Sequence, residues 1–250
     1  FQGEDVMAMG PRALNAVRGS RIAMIFQDPM TSLNPYLTIE TQMTEVVMHH
    51  QGLKRDEARA HAVELLHAVR IPDAEERIRQ YPHEYSGGMR QRVMIAMGLL
   101  CQPELLIADE PSTALDVTVQ AQISQLIREL REQTSMSIIM ITHDLAVVAD
   151  LCDRVIVMYA GEAVECGTSE QIFYAPQHPY TQGLLWSIPK VTQAKHTRLN
   201  AIPGRPPNLI DPPPGCKFAP RCAYAQDICR TEEPAFRSID SPDHIFACHF

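Results

Sequence analysis

The sequence predicts an α/β fold with a mostly parallel sheet, followed by a proline-rich C-terminal extension. Short continuous apolar runs, which are typical of strands buried on both faces of a parallel sheet, lie at residues 22–26, 104–109, 138–141 and 155–158. Stretches with helical periodicity separate these runs. Seven of the 19 prolines precede position 176 and 12 lie from there to the end, which predicts a boundary at Pro176.

Two stretches show the apolar stripe of an amphipathic helix. In residues 118–133 and 55–69, apolar side chains recur every three or four positions. No convincing strand falls between residues 37 and 85, so this part predicts a helical insertion within the α/β body. Residues 204–215, GRPPNLIDPPPG, contain too much proline for a helix or a strand and predict an extended connector.

These patterns divide the chain into four parts. We expect a partial α/β core at 1–36, a helical subdomain at 37–100, the remainder of the α/β core at 101–175, and the extension at 176–250.

Composition excludes several classes of protein. With 22 basic and 30 acidic residues and a net charge of −8, the chain has no global basic field for nucleic acid. The longest apolar stretch, residues 93–101, is about half of the roughly 18 to 20 residues that cross a bilayer. The seven cysteines are an odd number clustered toward the end, which favours a cytosolic metal or redox site over a secreted disulfide framework. Because residue 1 is Phe rather than Met, we expect a piece of a longer protein.

The most informative stretch is an apolar strand that ends in Asp109 and Glu110. Ligands of parallel α/β sheets bind beyond the carboxyl ends of the strands, where a carboxylate can hold Mg²⁺. Successive strand residues point in opposite directions, so one acid is expected to hold the metal while the other acts as a general base toward water. The alternative is two solvated acids before a proline turn.

Three further elements carry polar groups that suit a phosphate site. Ser86, Gly87 and Gly88 open an apolar helix, and free N–H groups at a helix start favour an anion. His143 and Gln27 each follow an apolar run and are predicted at strand ends. Taken singly, each has a structural alternative: an N-cap with a turn, a structural histidine, or an ordinary polar residue.

In this order and spacing, the motifs resemble those of the ATP-binding subunits of ABC transporters, across residues 1 to about 175. The resemblance identifies Gln27 as the Q-loop glutamine, Ser86-Gly87-Gly88 as the signature motif, Asp109 as the Walker B aspartate, Glu110 as the catalytic glutamate, Asp116 as the D-loop aspartate and His143 as the switch histidine. It implies a P-loop NTPase fold that binds ATP and Mg²⁺. It also implies closure of two ATPase subunits, in which each signature motif completes the other subunit's ATP site.

The sequence departs from this family at three places. Met89 stands where the signature has Gln, and Tyr85 where it often has Leu. No G-x-x-x-x-G-K-[ST] loop, which cradles the β and γ phosphates, occurs in the sequence. We interpret this as truncation and expect this chain to bind ATP poorly and to hydrolyse it hardly at all.

The extension carries Cys216, Cys222, Cys229 and Cys248 in a C-x₅-C-x₆-C-x₁₈-C pattern. Four thiolates suit an iron–sulfur cluster or tetrahedral zinc, although the C-x₂-C pairs common to structural zinc are lacking. With residues 178–181 (HPYT) and 203–204 (PG), the pattern resembles the C-terminal region of oligopeptide and dipeptide permease ATPases, especially the D-type subunit. That resemblance implies a [4Fe–4S] cluster, with zinc, free thiols or disulfides as alternatives. The other cysteines, Cys101, Cys152 and Cys166, are expected to be small core residues.

Taken together, these features predict an ATPase subunit of a peptide importer, peripheral to the cytoplasmic face of the cell inner membrane. Its expected partners are a homologous ATPase subunit, two transmembrane permease subunits and, indirectly, a substrate-binding protein, without nucleic acid. Import of nickel, glutathione or a peptide antibiotic remains open, as does a soluble ABC-type ATPase that works on ribosomes or DNA. A non-enzymatic regulatory or metal-binding module is a further alternative.

Overall fold

The computed structural model describes residues 1–111, 116–188, 201–239 and 241–250. The described chain forms two compact units, Phe1–Val147 and Val148–Phe250. The four-part division expected from the sequence is finer than these units and remains a prediction. No helix within the described ranges has the length and apolar character needed to cross a membrane.

The first unit is built on a parallel sheet of strands β1 (Ile22–Ile25), β2 (Leu105–Asp109) and β3 (Ser137–Ile141), hydrogen-bonded in that order. Its helices in chain order are α1 (Pro11–Val17), α2 (Pro29–Ser32), α3 (Ile39–Gln51), α4 (Arg55–Ala68), α5 (Ala74–Arg77), α6 (Gly87–Leu99) and α7 (Val117–Gln133). Helix α8 (Leu145–Leu151) runs across the division between the units. Short 3-10 turns lie at Val6–Ala8 and Pro82–Glu84.

The predicted strands and helices of this unit are confirmed with small shifts of boundary. Helix α7 buries Ile123, Leu126 and Ile127, as its apolar stripe predicts. Between residues 37 and 85 the described structure is helical and turn-like, without a strand. Helix α6 packs on one face of the sheet, since a Cβ at Gly98 would lie 3.3 Å from Leu106 Cδ1 and 3.5 Å from Ile25 Cγ1.

Burial of the sheet differs from the prediction that its strands are covered on both faces. Ile25 and Leu106, on the face toward α6, are almost fully buried, whereas Met24, Ile139 and Ile141 are exposed. An apolar run indicates that a strand can be buried, but it does not show that both faces of the strand are covered.

The second unit contains an antiparallel sheet in the order β4–β5–β7–β6, formed by β4 (Arg154–Tyr159), β5 (Glu162–Thr168), β6 (Phe236–Arg237) and β7 (Ile245–Ala247). The helices are α9 (Ser169–Tyr174), α10 (Pro179–Trp186) and α11 (Asp227–Thr231), with a 3-10 turn at Ala219–Arg221. Residues 204–215 form neither helix nor strand, as predicted. The core of this unit includes Tyr159, Val164 and Phe218.

The assignment of residues 155–158 to the parallel sheet was wrong. This run forms β4, which pairs antiparallel with β5, and Ile156 and Met158 on it are exposed. The apolar run predicts a strand correctly, but it carries no information about the partner strand or its direction.

Candidate functional site

The polar residues that follow the parallel strands meet at one edge of the sheet. The register pairs Ile25 with Ala108 and Asp109 with Ile141, so the three strands end at nearly the same level. Gln27, Glu110 and His143 follow these ends within two residues, and Gln27 and His143 both contact Glu110. We expected these residues to converge because parallel strands end at one edge of a sheet, and the structure contains this parallel pairing.

Glu110 lies at the centre of this cluster. Its Oε2 accepts a hydrogen bond from Gln27 Nε2 at 2.8 Å, and its Oε1 lies 3.0 Å from His143 Nδ1. Its backbone N–H donates to the carbonyl of Ile141 at 2.8 Å. The backbone of Glu110 is left-handed, with φ of +45°, a conformation that is costly for a non-glycine residue and is concentrated at functional sites. The turn therefore aims this carboxylate at the strand edge, between an amide donor and an imidazole.

Asp109 is the last residue of β2 and is half-buried beside Glu110. Among the described residues, its carboxylate has no hydrogen bond or ion pair with another side chain. Oxygen ligands at the end of a strand are the donors that Mg²⁺ prefers. The residues present therefore fit a magnesium ion, with Asp109 as the available ligand.

Ser86, Gly87 and Gly88 lie at the beginning of helix α6. Ser86 is the N-cap, and its Oγ accepts a hydrogen bond from the backbone N–H of Met89 at 3.3 Å. A Cβ at Gly88 would lie 2.8 Å from Val119 Cγ1, so only glycine permits this approach of α6 to α7. The N-terminal turn of a helix attracts anions, which suits phosphate.

Asp116 caps helix α7, and its Oδ1 accepts a hydrogen bond from the N–H of Val119 at 2.9 Å. Neither Ser86 nor Asp116 is hydrogen-bonded to the cluster of Gln27, Glu110 and His143 within the described part of the chain. The structure thus gathers three of the predicted residues at the sheet edge and places the signature motif and Asp116 beside each other through Val119.

A contact next to this cluster has no counterpart among the sequence motifs. Gln120 Nε2 donates to Asp144 Oδ2 at 2.7 Å, and Asp144 directly follows His143. Gln120 lies on the polar side of an amphipathic helix, where most side chains are solvated, so no sequence pattern distinguishes it from its neighbours.

The four cysteines of the extension line one cavity of about 370 Å³. Cys229 is buried, and Cys216, Cys222 and Cys248 are half-buried. Burial raises the pKa of the Cys216 and Cys222 thiols, and the neighbouring cysteines add to the shift. Within the described ranges, however, no three His, Cys, Asp or Glu side chains are grouped closely enough to hold a metal ion. The predicted set thus shares one cavity without forming a preassembled ligand shell.

The other three cysteines differ from the expectation of core positions, because Cys101, Cys152 and Cys166 are only half-buried. Cys101 follows α6 and Cys152 follows α8, and helix ends lie closer to solvent than helix centres. Cys166 lies on β5. None of the seven cysteines forms a disulfide.

A buried carboxylate in the second unit was also missed. Glu165 is fully buried in β5, and its carboxylate accepts hydrogen bonds from the N–H groups of Gln177 at 2.7 Å and His178 at 3.0 Å. It also contacts His244 Nε2 at 2.7 Å. Burial lowers the pKa of His178 to about 4, although the Glu165 carboxylate and the Ala247 carbonyl act in the opposite direction. These contacts join β5, α10 and the segment before β7.

The first unit and its strand-end cluster define an ATP-binding cassette domain. The chain matches the family described as "ABC transporter" over residues 2–113. Among solved structures, it resembles a dimeric ATP-binding cassette in a post-hydrolysis state bound to ADP and Pi. The TM-score is 0.58 and the identity 27%, over 65% of this chain and 68% of that one.

Curated relatives narrow the class further. The chain is 52% identical over 248 residues to the oligopeptide transport ATP-binding protein OppD of Salmonella typhimurium, covering 99% of this chain and 73% of the relative. It is 49% identical over 250 residues to the dipeptide transport ATP-binding protein DppD of Escherichia coli, covering 100% and 76%. Residues 164–229 match the family "Oligopeptide/dipeptide transporter, C-terminal region". The chain belongs to the ATP-binding subunits of ABC-type oligopeptide and dipeptide transporters.

Proposed function

We propose that this chain is the ATP-hydrolysing subunit that energises an ABC importer of oligopeptides or dipeptides. The observation that carries the proposal is the Glu110 carboxylate held between Gln27 and His143, at 2.8 and 3.0 Å, where parallel strands end. The membership of the chain in the peptide-transporter family supports the substrate class.

Each residue of the cluster has a distinct role in this proposal. Glu110 orients the attacking water and accepts its proton as a general base. His143 contacts the γ-phosphate, and Gln27 links the nucleotide to the membrane subunits. Asp109 holds Mg²⁺, which when bound neutralises charge on the β- and γ-phosphates.

The signature residues act on the neighbouring subunit's nucleotide in this account. Ser86, Gly87 and Gly88 present the free N–H groups of the α6 start to the γ-phosphate held by a homologous ATPase subunit. Asp116 lies beside them at the start of α7 and faces the same interface. The sequence contains no G-x-x-x-x-G-K-[ST] loop, so this chain is expected to bind ATP weakly and to have little activity alone.

The assembly comprises this subunit, its homologous ATPase partner and two transmembrane permease subunits, with a substrate-binding protein acting through them. The subunit is peripheral to the cytoplasmic face of the inner membrane. Residues 37–100 serve as a helical subdomain that ends in the signature helix, and residues 176–250 serve as the cysteine-rich extension.

The test of the catalytic assignment is Glu110→Gln in the intact importer. Removing the charge leaves the shape of the side chain, so ATP binding persists while turnover falls at least about 100-fold, the typical contribution of a general base. Glu104→Gln is the matched control, because Glu104 precedes the same strand and pairs with Arg21 at 2.6 Å, away from the strand-end cluster. An unchanged turnover in Glu110→Gln would refute the assignment.

We further propose that Cys216, Cys222, Cys229 and Cys248 hold a [4Fe–4S] cluster. The soft thiolate donors and their shared cavity of about 370 Å³ support it. The four side chains would have to move closer together on loading, because in the described structure they are not grouped closely enough to hold a metal ion. Because burial raises the pKa of Cys216 and Cys222, loading would release protons as the thiols converge on iron.

Anaerobic purification with iron, sulfide and zinc analysis tests this site. About four irons and four sulfides per chain are expected, with loss of both in Cys222→Ser and retention in Cys101→Ser, which lies outside the cavity. Stoichiometric zinc would show that the four cysteines form a structural zinc site instead of the cluster. A metal-free chain would refute both assignments.

A further inference from the structure

The first turn of α7 contacts two parts of the candidate site at once. On one side, Val119 packs so closely on the start of α6 that a Cβ at Gly88 would lie 2.8 Å from its Cγ1. On the other side, the neighbouring residue Gln120 donates to Asp144 Oδ2 at 2.7 Å. Consecutive residues of one helix thus touch the signature motif and the turn that carries His143.

Asp144 organises that turn through three hydrogen bonds. Its Oδ1 accepts from the N–H of Ala146 at 2.8 Å, and its own N–H donates to Thr142 Oγ1 at 3.0 Å. The bond from Gln120 to Oδ2 ties the turn to α7. Hydrogen bonds to a charged acceptor are stronger than neutral ones, so this contact fixes the half-buried Asp144 carboxylate firmly.

His143 depends on this turn for its position. Its side chain is 75% exposed and meets Glu110 Oε1 at 3.0 Å. An imidazole with so little packing around it is placed mainly by the backbone that carries it. A small displacement of the turn would therefore lengthen the contact with Glu110.

A second contact holds α7 against α6. Arg92 is buried on α6, donates to the Val69 carbonyl at 2.9 Å and donates to Gln122 Oε1 at 2.8 Å. Together with the close approach of Gly88 to Val119, the hydrogen bond from Arg92 to Gln122 joins α6 and α7 along their length. Helix α7 therefore moves with the signature helix α6.

We propose that Gln120 is a positioning residue for ATP hydrolysis. By holding Asp144, it keeps His143 against Glu110 and couples this pair to the signature helix through α7. The inference rests on the proposed ATPase function and deepens it, since nothing in the motif pattern assigns a role to Gln120.

The test is Gln120→Glu in the intact importer. The new carboxylate would face the Asp144 carboxylate and repel it, so kcat is expected to fall about tenfold, which corresponds to about 1.4 kcal/mol. The KM for ATP is expected to stay within about twofold, because neither side chain is proposed to contact the nucleotide. Gln120→Ala, which removes the donor without adding charge, is expected to give a smaller loss of kcat.

Rescue distinguishes positioning from a general loss of structure. Adding Asp144→Asn to Gln120→Glu is expected to restore kcat. The amide nitrogen at position 144 would donate to the carboxylate at position 120, while its oxygen would still cap Ala146. Gln125→Glu is the matched control, since Gln125 on the same helix donates to the Glu129 carboxylate at 3.0 Å. It is expected to leave kcat unchanged.

Each outcome has one interpretation. A normal kcat in Gln120→Glu, or failure of the second substitution to restore it, overturns the positioning role. A loss of kcat in Gln125→Glu equal to that in Gln120→Glu would show a general effect of charge on α7 and would also overturn the positioning role. Glu110→Gln, measured in parallel, separates the two proposals: if that variant keeps its turnover, the ATPase assignment itself is wrong.

Discussion

Replacement of His178 by Asn should flatten the acid dependence of folding stability. His178 is buried at the beginning of α10, where its Nδ1 accepts a hydrogen bond from the N–H of Tyr180 at 3.0 Å. Burial lowers its pKa from 6.5 to about 4. Each pKa unit corresponds to about 1.4 kcal/mol, so this shift amounts to about 3 kcal/mol.

The sign follows from which state binds the proton. Between pH 6.5 and 4 the unfolded chain protonates His178 while the folded chain does not, so stability is fully present above pH 6.5 and is lost as the pH falls through this window. Asn keeps an acceptor suited to the N-cap but does not titrate. The wild type should therefore lose stability more steeply, by up to about 1.4 kcal/mol per pH unit.

Urea denaturation at several pH values between 7 and 4.5 measures the difference, on metal-free protein so that the cysteine cavity does not contribute. His83→Asn is the control, because His83 is exposed and should leave the pH dependence of the wild type intact. Parallel stability curves for wild type and His178→Asn would refute the reasoning.

Two further predictions concern packing in the first unit. Gly88→Ala should destabilise the protein by about 1–3 kcal/mol through overlap with Val119, although alanine also brings a helix-propensity gain of about 1 kcal/mol. In a double-mutant cycle, Val119→Ala should remove most of the cost of Gly88→Ala. Additive effects of the two substitutions would contradict the close approach. Tyr85→Phe should cost about 1–3 kcal/mol in urea denaturation, because the buried hydroxyl donates to the Arg77 carbonyl at 2.6 Å. Burial raises the pKa of Tyr85 to about 12, so the wild type should also lose stability as the pH rises above 10, and a Phe variant with the same alkaline slope would argue against this burial.

Much of the strand-end cluster could be predicted from the sequence. Apolar runs mark β1, β2 and β3, and parallel pairing brings the residues after them, Gln27, Glu110 and His143, to one edge. Local patterns were sufficient here because each residue lies within two positions of the end of its strand.

Contacts that depend on distant pairing could not be predicted. Glu165 meets His244, 79 positions away, only because β5 pairs with β7. In β5 the charged Glu162 and Glu165 hide the alternation expected of a strand, and β7 is only three residues long. The direction of β4 was missed for the same reason, since Ile156 and Met158 form an apolar run without indicating its partner. The contact between Gln120 and Asp144 likewise requires the packing of α7 beside the end of β3.

The most direct test of the account is ATP-driven uptake of a labelled peptide into vesicles that contain the complete importer. With wild-type subunit, uptake of an oligopeptide or dipeptide should require ATP, whereas nickel and glutathione should not be taken up. With Glu110→Gln, ATP should still bind and uptake should cease. Peptide uptake that continues at the wild-type rate in that variant would contradict the claim that this strand-end cluster powers import.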